Sequence, residues 1–228
     1  GTWLQQMDYH NNHVYTIPLS SQGTGVSIFN TSTAGSPSLQ STIEINADYL
    51  AANRSINGSG NYVYVGTFGG LTTLDVSTPS APVVTNFYSG VRPNNITIDG
   101  TNMYLADNAN VPVLDISVTP EAPTLLHGLR SQGWAYDVAI VGNTAYFANY
   151  IDGLEIIDIT TLTSPVNITI LADADRGDSI SINGNYAYVI ANQETHIVDI
   201  TDSTNPFKAG SLLISGPRTI EHKNGLSY

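Results

Sequence analysis

Arg92, Trp134 and Arg176 follow one another at intervals of 42 residues, in a 228-residue chain with two Trp and seven basic residues in all. Such spacing turns scarce residue types into a candidate site. Arginine offers a planar fork of N–H donors that matches a carboxylate or phosphate. Tryptophan offers a flat apolar face to a sugar ring or an aromatic partner. Trp3 shares their register when counted back from the tyrosines described below, and Arg218 lies two positions later. We read Trp3, Arg92, Trp134, Tyr136, Asp137, Arg176, Asp178 and Arg218 as an anion- or sugar-binding rim, with Gln5, Asn94 and Asn95 nearby. The competing reading is structural. All five arginines (Arg54, Arg92, Arg130, Arg176, Arg218) lie on or just before strands that open a repeat, and each would pair with a carboxylate of the neighbouring repeat.

Other chemistry is weaker. His10, His13, His127, His196 and His222 show no zinc-ligand spacing, and the H-x-x-H of His10 and His13 lies in a strand-like region that points the two rings to opposite faces. "DNAN" (107–110) and "NYIDG" (149–153) hold calcium-like oxygen ligands without an EF-hand pattern, and turn chemistry accounts for both. No nucleophile elbow, phosphate loop or Ser/His/Asp set is present, so no catalytic residue, metal or cofactor is assigned. "RGDS" (176–179) matches an integrin-recognition tetrapeptide, but the start of an inner strand presents it poorly.

The elements that position these residues come from a repeat. Tyrosine recurs in "HVYTI", "YVYVG", "NMYLA", "TAYFA" and "YAYVI" at Tyr15, Tyr64, Tyr104, Tyr146 and Tyr188, and Tyr228 begins the pattern again. Each of the last four is followed by an apolar strand ending in Asp (Asp75, Asp115, Asp158, Asp199) and then by a proline turn; the first unit has Asn30 instead. These Asp side chains are read as turn elements that accept backbone N–H groups. Each unit holds four short β-like runs, in the fourth unit 136–141, 144–150, 154–159 and 166–171, and no 3.6-residue stripe predicts a helix. Runs such as "LEIIDI" and "AYFA" are apolar on both faces, which suits a sheet covered on both sides. The prediction is an all-β chain, a β-propeller of four-stranded blades with five complete repeats and the start of a sixth. It is taken as a single domain, with repeats at about 5–51, 52–93, 94–135, 136–177 and 178–217 and a partial one at 218–228. The sixth inner strand suggests a piece of a longer propeller. The alternative is five closed blades whose surplus terminal strand pairs with the next molecule.

"GNYAYVIANQETHIVDITDSTNP" (184–206) and "GNTAYFANYIDGLEIIDITTLTSP" (142–165) resemble the LVIVD repeat, a propeller-forming repeat of bacterial and archaeal surface proteins. The likeness is strongest from 58 to 210, and the first unit departs from it with its longer "PLSSQGTGVSIFN" and with Asn30. The resemblance implies a propeller and a surface location, and carries no catalytic motif.

Bulk composition narrows the partners. A net charge of −12 repels duplex nucleic acid and anionic membranes, and no run is long and apolar enough to span a membrane. Cysteine is absent, which removes disulfides and thiolate chemistry. Few Lys, with many Thr, Ser, Asn and Gly, point to an extracellular or cell-surface protein. Glycosylation triplets at Asn30, Asn53, Asn57, Asn95 and Asn167 agree with export. The expected role is a non-enzymatic structural, assembly or macromolecule-binding module whose partners are other proteins or surface polysaccharide. The alternatives are a carbohydrate- or anion-binding propeller, hydrolytic in one version, and a filament subunit joined through terminal strands.

Overall fold

Each repeat folds as a run of antiparallel strands joined by short turns. The computed structural model describes residues 4–18, 25–33, 35–45, 53–174, 176–191, 194–213, 222–223 and 226–227. The first sheet is β1 (Leu4–His10), β2 (His13–Pro18), β3 (Gly25–Asn30) and β4 (Ser38–Glu44), in that order. The second is β5 (Asn53–Ser59), β6 (Tyr62–Thr67), β7 (Gly70–Asp75) and β8 (Val83–Ser89). The third repeat supplies β9 (Asn95–Asp99), β10 (Asn102–Ala106), β11 (Asn108–Asp115) and the start of β12 (Thr124–Val141). The fourth runs from β12 through β13 (Thr144–Asn149) and β14 (Gly153–Asp158) to β15 (Val166–Leu171). The fifth is β16 (Gly177–Asn183), β17 (Tyr186–Ala191), β18 (Glu194–Asp199) and β19 (Phe207–Leu213). β20 (His222–Lys223) pairs with β21 (Leu226–Ser227). Among the described residues the helical content is one 3-10 turn, Ala172–Ala174, and no helix is long and apolar enough to cross a membrane.

One element differs from expectation. The outer run at 124–129 and the inner run at 136–141 are joined in the 18-residue β12. No Pro or Asn-Gly lies between them to stop pairing, and burial alternates from Leu129 up to the bulge between Ala135 and Asp137. Leu129, Ser131, Gly133, Ala135 and Asp137 are buried, while Arg130, Gln132 and Trp134 are exposed.

The chain divides into two units: residues up to Met103 with Leu114–Leu126, and Tyr104–Val113 with the chain from His127 on. In the first, Tyr15, Ile17, Val26 and Ile28 of one repeat pack with Ile56, Val63, Val65 and Leu74 of the next. In the second, Tyr104, Val111 and Val113 pack with Val138 and Phe147, and Tyr146, Leu154 and Ile156 pack with Ile180, Val189 and Val198. Each cluster joins consecutive repeats, so the second and third strands of a repeat are buried on both faces, as in β6, β7, β13 and β14. Each fully buried aliphatic side chain contributes about 1.5–3 kcal/mol. The outermost strands β4, β8 and β19 are largely exposed.

Polar clamps repeat alongside the apolar ones. Gln6 Oε1 accepts from Ile56 N (3.1 Å), and the buried Asp137 Oδ2 accepts from Ile180 N (2.9 Å) and Ser179 Oγ (2.8 Å). Gln6 and Asp137 each stand nine residues before their repeat's tyrosine, so this is one device used twice. Tyr64 Oη donates to Pro120 O (2.9 Å), which ties the anchor tyrosine to the next proline turn.

The turn acids act as turn elements. Asp75, Asp115, Asp158 and Asp199 each accept, through Oδ1, the backbone N–H two residues on: Ser77 (2.8 Å), Ser117 (2.7 Å), Thr160 (2.8 Å) and Thr201 (2.9 Å). Asn30 does the same for Ser32 N (2.8 Å), because an amide oxygen accepts as a carboxylate does. Hydroxyl and then backbone bonds from Ser117, Thr160 and Thr201 hold Asp115, Asp158 and Asp199 below the usual carboxylate range.

Candidate functional site

The 131–134 stretch of β12 is held from beneath. Glu155, on β14, is fully buried, and its carboxyl accepts from Ser131 Oγ (2.6 Å), Gln132 N (3.2 Å), Asn167 Nδ2 (2.8 Å) and Asn149 Nδ2 (3.4 Å). Asn149 is buried as well. Its Oδ1 accepts from Trp134 N (3.1 Å), Ile151 N (3.1 Å) and Asp152 N (3.3 Å), and its Nδ2 donates to Ser131 Oγ (3.0 Å). Tyr150 N donates to Trp134 O (2.8 Å). Gly133 is required here by close approach, because a Cβ would collide with the Asn149 amide and the Asp152 carboxyl. A satisfied buried network of this kind specifies one arrangement of the backbone above it.

That backbone carries an aromatic cluster. Trp134 and Tyr150 lie 16° from parallel with ring centroids 6.1 Å apart, and Tyr136 meets Tyr150 edge-on at 5.0 Å. The Arg176 guanidinium lies 4.4 Å from the centre of the Tyr150 ring, and its Nη2 donates to Tyr150 Oη. Tyr136 is the extra residue of a β-bulge between Ala135 and Asp137. Arg176 has φ +52°, a left-handed conformation that costs a non-glycine residue about 1–2 kcal/mol. Trp134 is 47% exposed and Ile151 beside the cluster is 57% exposed.

Of the rim expected from sequence, the structure brings Trp134, Tyr136 and Arg176 together. Asp137 is buried and its carboxyl serves the clamp to Ser179 and Ile180. Asp178 is the exposed bulge residue opening β16, and Arg92 is exposed in the first unit. Trp3 and Arg218 lie outside the described residues, as do the side chains of Arg54 and Asn53. Arg176 differs from the expected pairing with a neighbouring carboxylate: among the described residues its partner is Tyr150. Among the glycosylation triplets, Asn167 donates to Glu155, Asn57 Nδ2 donates to Ile96 O (2.9 Å), and Asn95 Oδ1 accepts from Ile96 N (2.8 Å). The two calcium-like stretches are turns. Asp107 and Asn110 close a tight hairpin with Asn108 at φ +51°, and Asn149 caps the 150–152 turn. Among the described residues no group of three His, Asp or Glu is placed to hold a metal ion.

Asn149 and Tyr150 lie in "NYIDG", which sequence offered as calcium-like ligands or a turn and not as part of the rim, and Ser131 and Glu155 were not singled out at all. Two signals mark them. Glu155 interrupts an apolar run, and the fourth repeat has twelve residues from Tyr146 to Asp158 where Tyr64–Asp75, Tyr104–Asp115 and Tyr188–Asp199 have eleven.

Comparison with known proteins agrees with this repeat organisation. The family model of the LVIVD repeat matches residues 52–89, 132–172 and 176–213, just over half of the chain. No curated protein sequence matches. Among solved structures, a proposed 6-phosphogluconolactonase from Bacteroides fragilis superposes with a TM-score of 0.75 at 11% identity, covering 93% of this chain and 71% of that one. A functionally unknown protein from Desulfotomaculum acetoxidans gives 0.70 at 12% identity over 94% of this chain and 72% of its own. BamB from Moraxella catarrhalis gives 0.62 at 14% identity over 99% and 79%. At these identities the likeness concerns the fold alone, which is β-propeller-like.

Proposed function

We propose that this chain, which belongs to the LVIVD-repeat family, is a non-enzymatic binding module of the cell exterior that meets its partner at the Trp134–Tyr136–Tyr150–Arg176 patch. One observation carries the reading: Trp134 remains 47% exposed although the backbone on which it stands is fixed by a buried network. Trp, Tyr and Arg are the residue types that dominate binding energy at interfaces, and a preorganised contact loses less entropy on association. The buried carboxyls nearest the patch, Glu155 and Asp137, are engaged in holding strands, which supports binding over acid–base chemistry. The Lys-poor, Thr-, Ser-, Asn- and Gly-rich composition supports an exterior location.

The test is retention of labelled protein on intact cells and cell-wall material of the source organism. Trp134→Ala and Tyr150→Ala should each lower retention about tenfold or more, as truncation of an interface anchor does. Their melting temperatures should stay within a few degrees of wild type. Retention indifferent to both substitutions, or no retention by the wild type, removes the patch as the contact surface.

A further inference from the structure

We infer that the occupant of this patch is an uncharged pyranose of a surface polysaccharide; the inference rests on the patch being the contact surface. Trp134, 47% exposed and stacked 16° from parallel against Tyr150, offers an apolar platform on which the C–H face of a sugar ring can lie. The patch as a whole comprises four side chains, whereas a stable protein interface takes about 20–30 residues a side. The platform has the extent of one or two sugar rings.

Charge decides between neutral and acidic sugars. Recognition of a carboxylate or sulfate would need the Arg176 fork turned toward the ligand. In the structure that fork lies against Tyr150 and donates to its hydroxyl, so Arg176 positions the Tyr150 ring. The Asp152 carboxyl stands beside Gly133, next to Trp134, and the exposed Asp178 follows Arg176 by two residues. With a net charge of −12 on the chain, these groups repel an anion within a screening distance of about 8 Å. They equally serve as acceptors for the hydroxyls of a neutral sugar. An aromatic floor with a few polar groups at its edge is the usual lining of a small-molecule site.

A Trp3→Phe variant leaves Trp134 as the sole tryptophan and its emission as the readout. The titrants are neutral oligosaccharides (glucan-, mannan- and galactan-derived) and, in parallel, oligogalacturonates and sulfated oligosaccharides. Expected is a saturable emission change with a neutral series, weakened about tenfold by Tyr150→Ala, with affinity unchanged between about 0.05 M and 0.5 M salt. Binding of the acidic series alone, weakening as salt rises, overturns the neutral assignment and leaves the patch standing as contact surface. Retention on cells that is lost when the cells are treated with protease, with no emission change from any sugar, assigns the patch to a protein partner and overturns the inference. If neutral sugars bind but Trp134→Ala and Tyr150→Ala leave that binding intact on a glycan array, both the inference and the patch reading fail.

Discussion

Ser131 Oγ lies 2.6 Å from Oε2 of Glu155, and neither side chain reaches solvent to any useful extent. This bond links β12 to β14 directly beneath the exposed Trp134, and Gln132, Asn149 and Asn167 add their donors to the same carboxyl. Removing the acceptor leaves the buried Ser131 hydroxyl and Asn149 amide without it, at about 1–3 kcal/mol each. Glu155→Ala should therefore destabilise the protein by about 3 kcal/mol or more. Glu155→Gln, which keeps one acceptor oxygen, should cost less. Urea unfolding measures the difference, and hydrogen exchange at the Gln132 amide should rise in parallel. An alanine variant as stable as wild type would show that the network does not hold the platform.

Gly133 tests the same support by crowding. A methyl at this position meets the Asn149 amide and the Asp152 carboxyl, both tied into the turn that carries Tyr150. Gly133→Ala should cost about 1–3 kcal/mol, the range for overpacking. It should also blue- or red-shift Trp134 emission in the Trp3→Phe background. Unchanged stability with unchanged emission would mean the turn yields freely.

The anchor tyrosines predict opposite outcomes for one substitution. Tyr64 Oη donates to Pro120 O at 2.9 Å, whereas Tyr15 Oη is buried with no partner among the described residues. Burial and then the nearby Asp8 push the Tyr15 phenol up to about 12, and burial likewise raises that of Tyr64. Tyr64→Phe should cost about 1 kcal/mol, the net worth of a hydrogen bond, while Tyr15→Phe should be neutral or stabilising because it removes an unpaired polar atom. Thermal melts of the two variants side by side decide the point, and equal losses would contradict it.

Acid should loosen the turns through Asp115, Asp158, Asp199 and Asp202. Bonds from the hydroxyls and then the backbone N–H groups of Ser117, Thr160, Thr201 and Thr204 depress their folded-state values below the ordinary value of about 3.9. A depressed folded value contributes stability that is complete above the unfolded value and is lost as pH falls through the folded one. Stability should thus begin to decline only below about pH 4, and the double variant Asp158→Ala/Asp199→Ala should show a shallower decline. The Thr160 and Thr201 amide resonances should follow these titrations. Amide shifts with midpoints at or above about 3.9 would reverse the sign.

Much of the fold is legible in the sequence because it depends on local pattern. The tyrosine period, the two-sided apolar runs and the Asp–Ser/Thr turns are properties of consecutive residues, and β13, β14, β17 and β18 fall where they indicate. The site is only half legible. The 42-residue spacing brought Trp134 and Arg176 forward, and Tyr136 beside them. It could not separate Tyr136 from Asp137, because alternation along a strand turns neighbouring side chains to opposite faces and repeat spacing does not say which face is buried: Tyr136 joins the aromatic cluster and Asp137 the clamp.

Tyrosine-anchored four-strand repeats, an acidic balance and the lack of cysteine are all readable along the chain, since period, composition and turn chemistry are written residue by residue. Packing in three dimensions brings Arg176 to Tyr150, sets Glu155 against Ser131 and the Gln132 backbone, and makes Asp137 part of the scaffold. The hydrogen bonds behind them join residues 23 to 43 positions apart, and linear spacing does not encode which side chains strand pairing and packing bring together.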